Sequence, residues 1–190
     1  RRQRIVIALH GVLLEHAERL RLSGAELNYE ADLRRSASAA YYALLHILVY
    51  DTVHFLFPDQ TQEAEESRCV TSRRFDHKTT QQFAKSIIGT NSSIFKEYFP
   101  TKSDVPGELV DISRAILMLY DDRIDADYVL RDRFRGARVD ESVRAARFAF
   151  QQWQTLMATD KKSADGFMMA LYRTNKEFFD KKDHPRNRRE

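Results

Sequence analysis

Arg35, Tyr42 and His46 interrupt an otherwise apolar segment at intervals of 7 and 4 residues. On a helix that spacing places all three in one narrow sector. Taking an arginine and a histidine out of water costs several kcal/mol unless partners are supplied. The trio therefore either lines a groove or pairs with acids. A simpler arrangement stays open, in which Arg35 sits at the wet end of the helix and His46 bonds a neighbouring carbonyl.

Arg123 poses a similar question. It falls one heptad after Ile116 and two after Leu109, so an apolar stripe runs straight into a guanidinium, with Asp127 and Tyr128 following in the run YDDRIDADYVL. Such an arginine is either held by acids such as Asp127 or aimed into a polar cavity, where its planar set of donors suits a phosphate. His77, preceded by Arg73 and Arg74 in SRRFDHKTT, has the side chain best suited to moving a proton near neutral pH. Metal readings are weak. His10 with His16, or His46 with Asp51 and His54, lack a recognised ligand spacing, and Cys69 is the single cysteine. No glycine-rich phosphate loop, nucleophile elbow or Cys–His arrangement is evident.

The net charge of +3 hides an uneven distribution. Residues 1–130 carry 16 Lys/Arg against 19 Asp/Glu, and residues 131–190 carry 15 against 9. The basic excess concentrates in RDRFRGAR (131–138), with Arg131, Arg133, Arg135 and Arg138, and in the tail KKDHPRNRRE (181–190). A clustered positive patch is the footprint of a phosphate or nucleic-acid partner, and a solvated loop with a frayed tail is the plainer alternative.

These side chains must be positioned by helices. Of 190 residues only 6 are Gly and 4 Pro, too few for an all-β chain with its frequent turns. The length suits one core of ordinary size without disulfides, and no run of 18 apolar residues suggests a membrane span or signal peptide. A soluble, cytoplasmic protein is expected. Apolar periodicity predicts a first helix over about 4–22, ending at Ser23-Gly24, and a central buried helix over about 27–57, ended by Pro58. A third is predicted over about 62–88, then a loop over 90–107 holding at most a short helical turn. A fourth begins at Pro106, and a fifth is capped by Asp140. Residues 160–180 form a further helix or an extension, whose apolar residues Phe167, Met168, Met169, Leu171, Phe178 and Phe179 either serve an interface or fold back. The expected fold is all-α, an antiparallel up-and-down helical bundle over 1–158, with a C-terminal helical extension and basic tail over 159–190.

The segment DLRRSASAAYYALLHILVYDTVHF (32–55) closely resembles the second helix of HEPN-domain proteins, many of which read Arg-Arg-x-x-Ser-x-Ala-Tyr-Tyr-Ala-x-Phe-His. RRFDHK (73–78) and DRIDADY (122–128) look like the next landmarks of that family, in the same order, so the resemblance covers about residues 8–157. It implies a helical bundle that dimerises. Many members are metal-independent ribonucleases of toxin–antitoxin, phage-defence and RNA-processing systems. In them an Arg and a His four to six residues later act across the dimer on a phosphate attacked by the RNA 2′-hydroxyl.

Arg123 matches the family's arginine, but Tyr128 stands in the histidine's place and Ile124 follows the arginine. A phenol with a pKa near about 10 is a poor base at neutral pH, where an imidazole near about 6.5 is well placed. The resemblance therefore implies a domain that binds RNA or a nucleotide as a homodimer, with weak or no catalysis and no cofactor. In that reading Arg123 contacts phosphate, Arg35 and Tyr42 shape the groove, and Arg131, Arg133, Arg135 and Arg138 supply attraction. Two alternatives stay open. One is a metal-independent endoribonuclease in which His46 or His77 replaces the missing histidine beside Arg123 and Tyr128. The other is an interaction module partnered with a nucleotidyltransferase.

Overall fold

The computed structural model describes residues 9–27, 29–89, 93–129 and 134–183, with side chains through 180. Among them are eight α-helices and one 3-10 turn, with no strand. They are α1 (Leu9–Leu27), α2 (Glu30–Leu56), α3 (Gln62–Ser72), α4 (His77–Gly89), α5 (Ser93–Tyr98), α6 (Gly107–Tyr128), α7 (Gly136–Thr159) and α8 (Lys161–Asp183), the turn being Lys102–Asp104. The all-α bundle expected from periodicity is the fold observed.

Four long helices, α1, α2, α6 and α7, make the central bundle. The α1–α2 pair is an antiparallel hairpin: Ser36 Oγ donates to the Ala17 carbonyl at 2.6 Å, and the His10 and Tyr50 rings meet 5.6 Å apart. The expected stop at Ser23-Gly24 does not occur. Gly24 lies inside α1 as a close-approach residue, and a Cβ there would sit 2.8 Å from Leu33 Cγ. α6 runs antiparallel to α2, tying Asp127 to Ser38 and Arg123 to Tyr42.

α2 is long and apolar enough to cross a membrane, yet its apolarity is that of a core helix. Ala37, Ala40, Leu44 and Leu48 are fully buried against Leu109, Ile112 and Leu119 of α6 and the aliphatic face of α7. Burying a Leu or Ile side chain contributes about 1.5–3 kcal/mol. Trp153 of α7, also buried, donates Nε1–H to Asp51 Oδ2 at 2.6 Å, so its polar atom keeps a partner.

The predicted third helix is two helices. Thr61 caps α3 by accepting from Ala64 N at 3.2 Å, and α3 ends at Ser72. Asp76 then restarts the chain as α4, its Oδ1 accepting from both N and Oγ1 of Thr79. That break places His77 in a first helical turn. The predicted start of the fifth helix is also displaced: α7 begins at Gly136, and Asp140 lies one turn inside it, paired with Arg21 at 2.7 Å. Asp160 N-caps α8 through Ser163 N. Phe167, Met168 and Leu171 of α8 fold back into the core, where Phe167 packs against Phe83 of α4 and Trp153 of α7. Phe178 stays exposed, while Met169 and Phe179 are half-buried.

Candidate functional site

The middle of α2 carries two adjacent tyrosines that diverge. Tyr41 is buried, with its hydroxyl 2.9 Å from His77 Nδ1 at the start of α4. Burial pushes its phenol well above the ordinary range, so it stays neutral. Tyr42 is half-buried and accepts a 3.2 Å hydrogen bond from Arg123 Nη2. The Tyr42 ring also meets the His77 ring at 5.6 Å and the His46 ring at 6.5 Å. Helix α2, the N-terminus of α4 and the last turns of α6 thereby bring Arg123, Tyr42, His46 and His77 together.

Arg123 is constrained on three sides. Its Nε lies 2.9 Å from Asp127 Oδ2, out of line for a true hydrogen bond. The guanidinium carbon sits 5.8 Å from the Tyr42 ring centre and 5.4 Å from that of Tyr128. Its side chain is only 13% exposed. Both arrangements left open for it are thus partly realised: an acid faces it, and it also borders a polar cluster. Among the described residues Nη1 carries no hydrogen bond.

The two histidines are half-buried, and each imidazole lies below its ordinary pKa. For His46 the cause is burial. For His77 it is burial and then the Arg123 charge, against an opposing pull from Asp76. At neutral pH both are neutral rings able to accept a proton.

Beside this cluster a groove of about 650 Å³ opens between α1, α2 and the end of α6. Arg35, Ser38, Tyr42, Asp127, Tyr128 and His16 line it. Arg35 is exposed, at the wet end of α2, and Tyr128 is 66% exposed. Arg35, Tyr42 and Tyr128, three of the residues singled out by spacing, therefore share one surface. His46 faces a different groove, on the far side of Tyr42.

The arginine-rich segment divides. Arg131 and Arg133 lie outside the described residues, and Arg135 is exposed ahead of α7. Arg138, expected to attract phosphate, is partly exposed and paired with two acids of α6. Its Nε donates to Asp122 at 2.6 Å, its Nη2 to Asp125 at 2.7 Å, and its guanidinium stacks on Phe134. Among the described residues no three His, Cys, Asp or Glu side chains are placed to share a metal ion.

Two residues that hold the site in place carry no site role in the sequence analysis. Arg34 pairs with Glu30 at 2.7 Å and donates to the carbonyls of Asp125, Ala126 and Val129, closing the C-terminal end of α6. Tyr41 is the other. In the sequence it is the first tyrosine of the Tyr-Tyr pair in the segment 32–55 and falls on the apolar stripe of that helix, where it reads as one more core aromatic. No family model, curated protein or solved structure matches the chain.

Proposed function

We propose that this protein is a HEPN-like domain that binds RNA or a nucleotide in the groove beside Arg123, acting as a cytoplasmic homodimer in a toxin–antitoxin, defence or RNA-processing setting. One observation carries the reading: Arg123 is held between Tyr42 and Tyr128 at the edge of a groove that also bears Arg35. Guanidinium groups beside exposed aromatic rings match the chemistry of phosphates and unpaired bases. Tyr128 donates a hydrogen bond and a stacking face here and does not shuttle protons.

The test is binding of fluorescent single-stranded RNA at 50 and 200 mM salt. Binding led by about three phosphates weakens tenfold or more across that range, and Arg123→Ala lowers affinity and flattens the salt slope. Affinity indifferent to salt and to Arg123→Ala overturns the reading.

A specific contact favours a second reading, a metal-independent endoribonuclease. His77 touches the same Tyr42 that accepts from Arg123, so a neutral imidazole stands near the guanidinium even though the motif position holds Tyr128. In that chemistry His77 takes the 2′-hydroxyl proton as the 2′-oxygen attacks phosphorus, and Arg123 faces the developing charge. The bond from phosphorus to the 5′-oxygen breaks, and that oxygen leaves with a proton from solvent, giving a 2′,3′-cyclic phosphate and a 5′-hydroxyl. RNA cleavage that survives excess chelator and disappears in both Arg123→Ala and His77→Gln distinguishes it from binding alone.

A further inference from the structure

We infer that the groove beside Arg123 is one half of a longer track, built for an extended single strand of RNA rather than a lone nucleotide. The inference rests on the RNA-binding reading above. A second groove of about 670 Å³ opens along α2 toward its C-terminal end, bounded by the start of α1 and by α3. His10, His46, Tyr50, His54, Arg68 and Glu65 line it.

The two grooves follow one another along α2. Their shared wall is the α2 series Arg35, Ser38, Tyr42, His46, Tyr50 and His54, spaced by three, four, four, four and four residues. Neighbours three or four apart touch on the helix surface, and at about 100° per residue the series winds round α2 as it runs, by about 160° from Ser38 to His54. The Tyr42 and His46 rings, 6.5 Å apart, form the junction. From Arg35 to His54 the helix rises about 28 Å, room for about four or more nucleotides, the small end of single-strand site sizes.

The chemistry along the track repeats. At one end stands Tyr128, 66% exposed, beside Arg35 and His16; in the other half stands Tyr50, 44% exposed, beside His10, His54 and Arg68. The Tyr50 and His54 rings already meet 4.0 Å apart, tilted by 34°, and His54 Nδ1 is pinned 2.8 Å from the Tyr50 carbonyl, so the pair presents a preformed aromatic platform. Each half has one acid against its basic and imidazole groups, Asp127 in one and Glu65 in the other. Exposed rings interleaved with cationic groups along a groove suit a flexible backbone whose bases stack in turn. A rigid duplex keeps its bases stacked on one another and offers no such contact.

The test is affinity against length, using oligouridylates of 2, 4, 6 and 12 nucleotides at fixed salt. The parent protein, Arg35→Ala and the double variant Tyr50→Ala/His54→Ala are compared, with helicity of each checked by circular dichroism. In the parent, affinity climbs from 2 to about 6 nucleotides and then levels off. The double variant binds the dinucleotide like the parent but loses about tenfold or more on the longer oligomers, the worth of one or two stacked bases. Arg35→Ala weakens every length. A dinucleotide bound as tightly as the 12-mer, or a double variant matching the parent throughout, overturns the track and leaves the RNA-binding reading standing. Absence of binding at every length overturns both.

Discussion

The Tyr41 hydroxyl lies 2.9 Å from His77 Nδ1, joining the middle of the buried helix to the first turn of α4. Because burial keeps the phenol neutral, its hydroxyl can either donate to Nδ1 or accept from it, so the contact fixes the orientation of the His77 ring in either tautomer. It also turns the other edge of the ring away from Tyr41. The same α2 turn, through Tyr42, holds Arg123. Two neighbouring tyrosines thus orient the two side chains with the greatest chemical potential in the molecule.

Replacing Tyr41 by Phe keeps the ring in the core and removes only the hydroxyl. Loss of one part-buried hydrogen bond costs about 1 kcal/mol of stability. The sharper readout is nitrogen NMR of His77: the Nδ1 shift moves in Tyr41→Phe, where that atom has lost its hydroxyl partner. Identical imidazole nitrogen shifts in the two proteins mean that Tyr41 does not hold the ring.

Arg138 and Arg35 separate structural from binding arginines. Asp122, with its side chain 6% exposed, accepts from Arg138 Nε and from Ser142 Oγ. Arg138→Ala leaves that carboxylate buried with Ser142 as its remaining side-chain donor among the described residues. The expected loss is about 2 kcal/mol, less than the roughly 3–5 kcal/mol of a fully buried pair because the Arg138 side chain is itself 39% exposed. Arg35 is exposed, so Arg35→Ala changes stability by no more than about 0.5 kcal/mol. Urea unfolding and RNA affinity, measured on both variants, give opposite patterns: Arg138→Ala loses stability, and Arg35→Ala loses affinity. An Arg138→Ala protein as stable as the parent but weakened toward RNA removes the structural assignment.

Much of the fold was legible because apolar periodicity reports burial directly. The stripe through Ala37, Leu44 and Leu48 of α2 and that through Leu109, Ile112 and Leu119 of α6 both face the core. Boundaries set by a single local bond were harder to read. Asp76 restarts a helix by capping Thr79, while Asp140, an equally good capping residue, is instead drawn to Arg21 on a helix 119 residues away in sequence. For the site, spacing placed Arg35 and Tyr42 on one stripe and marked Arg123 and His77 separately. That Arg123, His77 and Tyr42 meet depends on how α4 and α6 pack on α2, which no spacing within one segment contains. The ion pairs of Arg138 are hidden for the same reason, since Asp122 and Asp125 reach it only through the α6–α7 pairing.

Three half-buried histidines give the protein an acid sensitivity with a definite sign. His10, His46 and His77 all lie below the ordinary imidazole value, burial being the first cause in each; Asp51 opposes it at His10 and Asp76 at His77. The unfolded chain takes up these protons near pH about 6.5, whereas the folded protein resists them until lower pH. Between those limits the unfolded state holds more protons, so stability rises with pH. The histidine contribution is therefore fully present above about pH 6.5 and is lost as pH falls through the folded values. Asp104 and Asp160, whose carboxyls are held low mainly by hydrogen bonds from Thr101 and Ser163, act in a separate window below about pH 4. Thermal unfolding between pH 7.5 and 5.0 reads the histidine term: the midpoint falls in the parent, and the fall is smaller in His46→Gln and in His77→Gln. A midpoint that stays level over that range in the parent contradicts the buried, neutral state assigned to these rings.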